Sequence, residues 1–422
     1  MRHTSTLLLV VFLAGCGAQS PKSPTAATTH QAPEPVPPEV AELMDQGDLD
    51  GALTKIEGLI AKRPDASVYY SVRSSIHHRR GDVDSAIADL NKAIELNPKD
   101  SRLFNNRGFI LMGMQRLTEA MADFDKAIEI SPDYSNPFNN RGLLMIARGQ
   151  FASAIEQLDR ALQLDPNYVD AYNNRGFAAF QLGAADSALI DFNRALKLNP
   201  KYVNAFNNRG LLRAGVGDLE NAILDFTSAM MLDPGNPKYY EHRCEIYRRM
   251  SKTELAIADE NRHDWLMRLQ ALTTAIQSKP NDANLLVERA THHFKANDSS
   301  KAMDDVQRAV KIAPDSVRAL VLRGRIFMDM NDFKSAFADA EAALKVEPNQ
   351  DAFSLRGDAC LGLKDYDKAI ESFAEARRID NSVAEAYYRK SLVLQASGQQ
   401  EAAADSLKQA VALDPNVEDR LR

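Results

Sequence analysis

From Val40 onward, apolar and small residues recur along the chain with a period of 34. Prolines mark it: Pro64, Pro98, Pro132, Pro166, Pro200 and Pro234 are each 34 residues apart. After a gap of 46 the series resumes at Pro280, Pro314 and Pro348, with Asn381 in the next proline place and Pro415 after it. If the proline is slot 32 of each unit, the third unit carries Phe104, Gly108, Ala120, Phe124 and Ala127 at slots 4, 8, 20, 24 and 27. The fifth unit places Tyr172, Gly176, Ala188, Phe192 and Ala195 in the same slots. Residues three, four and seven apart share a helical face, and proline cannot continue a helix, so each unit predicts two helices joined as a hairpin. Small residues at 8, 20 and 27 let the two helices approach closely, while the aromatics at 4 and 24 fill the remaining space as core. A lone hairpin cannot bury its apolar face, so neighbours must stack. The pattern predicts an all-α solenoid of about eleven hairpins, the first incomplete.

These slots resemble the tetratricopeptide repeat (TPR), whose small and large residues keep the same spacings. The resemblance implies a right-handed superhelix whose first helices line a concave groove. The expected organisation is an incomplete repeat at 39–66, units two to seven at 67–282, units eight to eleven at 283–416, and a tail at 417–422. The gap of 46 predicts one long helix from Thr253 to Lys279, with Trp265, Leu269 and Leu272 on one face. Slot 7 is Arg in units two to ten, and slot 23 is Asp in most of them. Arg73 with Asp89 and Arg107 with Asp123 are two instances. An unpaired buried charge is costly, so matched periodic charges predict a ladder of ion pairs between helices.

Units three to six share a run that helix packing alone does not demand. Asn105-Asn106, Asn139-Asn140, Asn173-Asn174 and Asn207-Asn208 stand at slots 5 and 6, although asparagine is a mediocre helix former. In TPR proteins slots 2, 5, 9, 12 and 13 face the groove, with slot 6 at its edge. An amide offers a donor and an acceptor, so a column of them suits the N–H and C=O of an extended peptide. The slot 6 asparagines resemble those lining the superhelix of the protein O-GlcNAc transferases, which hold substrate peptides by their backbone; no glycosyltransferase domain follows here. Apolar residues stand beside them, with Phe109, Leu143, Phe177 and Leu211 at slot 9 and Met112, Ile146 and Phe180 at slot 12. From unit seven the groove turns charged, with Glu241, Glu245, Arg248 and Arg249, then Lys295, Arg325 and Asp329, so binding is expected to centre on units three to six. A carboxylate-clamp chemistry, as in chaperone-type TPR domains, needs basic residues that these units lack apart from Arg102 and Arg213.

Residues 1–16 carry Arg2, an apolar run from Leu7 to Ala14 and then Gly15-Cys16. That run is too short to span a bilayer and reads as the h-region of a signal peptide. Leu13-Ala14-Gly15-Cys16 resembles the lipobox of bacterial lipoproteins, which implies cleavage of 1–15 and acylation of Cys16. Gly17 after the cysteine implies, by resemblance to Gram-negative lipoproteins, sorting to the outer membrane, facing the periplasm. Residues 16–38, with six prolines from Pro21 to Pro38 and almost no large apolar side chain, read as a disordered linker.

Charge and candidate chemistry narrow the function. With 51 basic and 58 acidic residues the chain has no basic footprint for nucleic acid. His77-His78 and His292-His293 are adjacent in sequence and point about 100° apart on a helix, so neither pair chelates a metal from one face. No cofactor motif, nucleophile triad or paired carboxylates emerge, and an enzyme is not expected. The expectation is a membrane-anchored scaffold that binds extended segments of partner proteins. The alternatives are self-association through the helix containing Trp265 or service as a regulatory subunit of an enzyme encoded elsewhere.

Overall fold

Each 34-residue unit folds as the hairpin its slots predict. The computed structural model describes residues 36–421, and among them there are twenty-three helices and no strand. Unit three pairs Ser101–Gly113 with Leu117–Ile130, unit four Ser135–Ala147 with Phe151–Leu164, and units five and six repeat the arrangement. The signal segment, Cys16 and nearly all of the Pro-rich stretch lie outside the described residues. No described helix is long and apolar enough to cross a membrane.

The slots act as their chemistry requires. Ala120, Phe124 and Ala127 are fully buried, as are Ala188, Phe192 and Ala195 two units on. A Cβ on Gly108 would sit 2.8 Å from the Phe124 ring, and one on Gly176 would sit 2.9 Å from Phe192. The small residue at slot 8 is therefore what the aromatic at slot 24 packs onto. The turn inside each hairpin passes through a left-handed residue at slot 15. Glycine holds it at Gly149 and Gly183, but Gln115 and Lys364 adopt the same conformation at φ 63° and 66°. For a side chain with a Cβ, that geometry costs about 1 kcal/mol.

The periodic charges pair as expected. Arg73, Arg107, Arg175, Arg209, Arg243, Arg289 and Arg323 each hold the slot 23 aspartate of their own unit with two hydrogen bonds. The third nitrogen often reaches the preceding repeat. Arg107 donates to Asn91 at 2.7 Å, and Arg175 donates to Asp159 at 2.6 Å. The hydrogen bond to Asp191 holds the Arg175 guanidinium above its ordinary value. Each arginine thus ties its own hairpin together, and Arg107, Arg175, Arg209, Arg243 and Arg289 also staple it to the preceding repeat. Unit four is an exception: slot 23 is Gln157, and the buried Nε of Arg141 has no partner.

The chain divides into two compact bodies, one up to Glu260 and the other from Asn261. The division falls within the 26-residue helix Thr253–Ser278 that the long spacing predicts. Within the expected tail, Val417–Leu421 forms a short helix, with Val417 buried against Ala384, Tyr388 and Ala410. In unit ten the second helix, Tyr366–Glu375, has 10 residues where its counterparts in units eight and nine have 14. Past its end, Arg377 adopts a left-handed conformation, φ 54°, which leads Arg378 away from the helix.

Candidate functional site

Eight asparagines on the first helices of units three to six form one continuous chain of side-chain hydrogen bonds. Within a unit, the slot 5 amide donates to the oxygen of slot 6: Asn105 to Asn106 at 3.5 Å, Asn139 to Asn140 at 3.3 Å, and Asn173 to Asn174 and Asn207 to Asn208 at 3.4 Å. Between units, the slot 6 amide donates back to slot 5 of the preceding repeat: Asn140 to Asn105 at 2.9 Å, Asn174 to Asn139 at 3.0 Å, and Asn208 to Asn173 at 2.9 Å. The seven bonds run in one direction, from Asn207 in unit six to Asn106 in unit three. That ladder is the physical reason why poor helix formers persist here, since a satisfied network specifies the stacking of each repeat on the next.

The ladder corrects part of the groove expected from sequence. Asn105, Asn139 and Asn173 are only 5%, 3% and 5% exposed, with donor and acceptor engaged, so they are not contact surface. Met112 and Ile146, expected on the groove face, are buried core. Asn106, Asn174 and Asn208 are half-buried, while Asn140 is buried. Asn140, Asn174 and Asn208 each use one N–H and one oxygen lone pair in the ladder, which leaves one of each outside it. Beside them Phe109, Leu143, Phe177, Leu211 and Phe180 are half-buried, with one side packed on the core of their own or the preceding hairpin.

The acceptor end of the ladder is open. Asn207 is half-buried, and its Oδ1 is buried without a partner. The register calls for a donor at slot 6 of unit seven, which is His242, and that ring lies against Phe226 at 5.4 Å. The two basic residues near this face are already paired. Arg102 is chelated by Asp100, and Arg213 meets Asp225 at 2.7 Å, so no carboxylate clamp is available.

Trp265 does not stand out as a docking knob. One face stacks on His292 at 4.9 Å, the Arg262 guanidinium lies 4.4 Å from the ring centre, and Leu272 on the same helix is buried. His292 is taken up by a 2.8 Å contact with the Trp265 carbonyl, and His77 sits 3.5 Å from Asp82.

A second concavity, of about 970 Å³, lies among units eight to eleven, in the charged part of the groove that carries Arg325 and Asp329. Arg378 and Asp380, just past the shortened second helix of unit ten, are among its lining residues. Arg378, led out by that break, donates to Asp358 at 2.7 Å and pairs with Asp380 at 2.8 Å. Burial pushes the Asp358 carboxyl up, against the lowering pull of Arg378. Arg325 pairs with Asp351, and Arg389 with Glu385, on the same walls. Arg325 and Asp329 are the lining residues that the sequence had already placed in the charged part of the groove.

Comparison with known proteins follows this geometry. Family models described as TPR repeat or Tetratricopeptide repeat match residues 75–115, 101–134, 144–183, 169–202, 321–384 and 384–417. A comparison with curated proteins finds no match. Among solved structures the chain is similar to PilW, described as a widely conserved type IV pilus biogenesis factor. The identity is 22% over 46% of this chain and 90% of that one, with a TM-score of 0.44. It is also similar to YrrB, described as a TPR protein with an unusual peptide-binding site, at 20% identity over 49% and 97% of the two chains, TM-score 0.34. A tetratricopeptide repeat protein from Parabacteroides merdae matches at 20% identity over 72% and 99%, TM-score 0.36.

Proposed function

The chain is a tetratricopeptide-repeat protein, and we propose that it is a non-enzymatic scaffold that holds extended segments of partner proteins in the groove of units three to six. The observation that carries this reading is the ladder. It fixes Asn106, Asn140, Asn174 and Asn208 in register and leaves hydrogen-bonding capacity on the half-buried Asn106, Asn174 and Asn208, next to the apolar strip of Phe109, Leu143, Phe177 and Leu211. Neighbouring helices pack 8–10 Å apart and an extended chain rises about 3.3 Å per residue, so one repeat matches about three residues of ligand. Such a site reads main chain through amides and alternate side chains through apolar contact.

Lipidation at Cys16 and the Pro-rich stretch would hold this array at the bacterial envelope, on the outer membrane facing the periplasm. Two or more acyl chains suffice for stable anchoring. Cys16→Ser should release the protein from the membrane fraction without altering the array.

A benzophenone side chain at position 177, with a control at the exposed position 190, tests the groove. In intact cells, position 177 should form adducts that map to extended segments, and position 190 should not. Equal labelling at both overturns the assignment. The self-association reading draws on Leu255, Ile257 and Met267, which are exposed on the long helix that carries Trp265. A strictly monomeric protein in sedimentation excludes it.

A further inference from the structure

We propose that the outer face of the second helices of units five and six is a contact on which a second copy of this chain docks, the two faces running antiparallel. These helices, Ala185–Leu198 and Leu219–Leu232, leave slots 18, 22 and 29 in solvent. In other units slots 22 and 29 carry charge, as at Glu129 in unit three, Glu156 in unit four, and Asp304 and Lys311 in unit eight. In units five and six they hold Ile190, Leu224 and Met231, which are 68%, 62% and 80% exposed, and Leu232 lies exposed beside them. Leu224 and Met231 are seven residues apart on one helical face, and Ile190 holds the slot of Leu224 one repeat away, about 10 Å across the surface. Together these side chains present about 300–400 Å² of apolar surface, more than the single apolar residues of an ordinary exterior. Each side of a standard protein interface contributes about 800 Å², a little over half of it apolar. The patch supplies most of that apolar share, and the stem of Lys197 on its border adds to it.

Symmetry and charge select the occupant. A two-fold contact needs a face that is complementary to itself. Leu224 and Met231 are about 10 Å apart along their helix, so an antiparallel crossing of Leu219–Leu232 over its own copy seats each Leu224 on the Met231 of the other. Slots 18 and 33 share the midpoint of slots 22 and 29, so the same register sets Asp186 opposite Lys201 of the second copy, twice. Both residues are exposed, and neither has an ion pair among the described residues. A parallel crossing instead sets Glu220 against Glu220, which like charges oppose. The antiparallel dimer holds two arrays back to back with both asparagine grooves open. Two grooves on one particle hold a partner with repeated segments by avidity, which goes beyond the single groove proposed above.

Sedimentation of the full-length protein over a concentration series tests the contact and should report a dimer. Leu224→Asp should weaken it at least about thirtyfold, since each dimer carries the change twice, while the melting temperature of this exposed position stays unchanged. Adding Met231→Lys to Leu224→Asp should restore the dimer through two Asp–Lys contacts, which a damaged fold could not do. Register is read by disulfide trapping. Leu224→Cys protein mixed with Met231→Cys protein should crosslink under mild oxidation, and neither should crosslink alone, with the buried Cys244 and Cys360 staying out of the reaction. Met267→Glu, on the long helix that carries Trp265, should leave the dimer intact, which separates this contact from self-association through that helix. Leu224→Asp should leave capture of extended segments at position 177 in place, so the contact and the groove stand or fail separately. Position 190 borders the contact, and its adducts should map to this chain itself. A monomer at every concentration, a dimer that survives Leu224→Asp, or crosslinking of Leu224→Cys alone without crosslinking of the mixture overturns the proposal.

Discussion

The Nδ2 of Asn140 donates to the Oδ1 of Asn105 across a repeat boundary, 35 residues away in sequence, at 2.9 Å. This bond and its two equivalents make the stacking of units three to six a hydrogen-bonded arrangement as well as an apolar one. The cost of breaking it depends on position along the ladder. Asn140→Ala takes one ladder bond from each of two buried amides, Asn139 and Asn105, and should cost about 2–4 kcal/mol, whereas Asn106→Ala removes only the terminal bond and should cost less than about 1 kcal/mol. Urea denaturation of the two variants checks the ordering.

Unit four lacks the carboxylate that its arginine expects. Gln157→Asp places a carboxylate at slot 23, opposite the unpartnered Nε of Arg141, and recreates the two-point pair of the neighbouring units. A partly buried charge-assisted pair should add about 1–2 kcal/mol, visible as a raised melting temperature. In the reverse direction, Asp123→Asn should lower stability by about 3 kcal/mol, because Arg107 is left half-buried without its partner.

His242 stands where the ladder calls for one more amide. Burial pushes its imidazole below the ordinary value, with Glu241 pulling upward and Lys238 adding to the depression. A depressed histidine takes its proton in the unfolded chain first. Stability is therefore lost as pH falls from about 6.5, and the loss ends below the folded-state value. His242→Asn should remove this share of the acid-side decline and offer a donor to Asn207 Oδ1. Thermal melts at pH 7.5 and pH 5.5 should show the variant gaining most at the lower pH.

The two described cysteines are packed thiols. Burial pushes Cys360 up to about 11 and raises Cys244 as well, so neither forms much thiolate at neutral pH. Both should resist alkylation by iodoacetamide at pH 7.5 in native protein and react in denaturant, as read by mass spectrometry.

Much of this architecture is written in local spacing. The hairpins, the arginine–aspartate pairs and the long helix all follow from residues three, four, seven or sixteen apart, which is the range that helical periodicity fixes. The ladder is different. Asn105 and Asn140 pair because two successive helices bring slots 5 and 6 together across a repeat boundary, and no helical wheel contains that relation. The same blindness placed Met112 and Ile146 on the groove face, since a wheel of one helix does not show how deeply the next repeat covers its edge. The second concavity was legible only as the charged stretch of the groove at Arg325 and Asp329, whereas the place of Arg378 in it requires the folded turn after Glu375.

The central claim is that the slot 6 amides clasp the main chain of a bound segment. Selective ¹⁵N labelling of asparagine side chains in the intact protein, titrated with the tightest binder from an array of extended peptides, reads it most directly. The account predicts shifted and protected side-chain N–H signals for Asn106, Asn174 and Asn208, little change at the buried Asn105, Asn139, Asn140 and Asn173, and loss of affinity when the peptide backbone is N-methylated. A peptide that binds with those signals unmoved, or that tolerates N-methylation throughout, would contradict it.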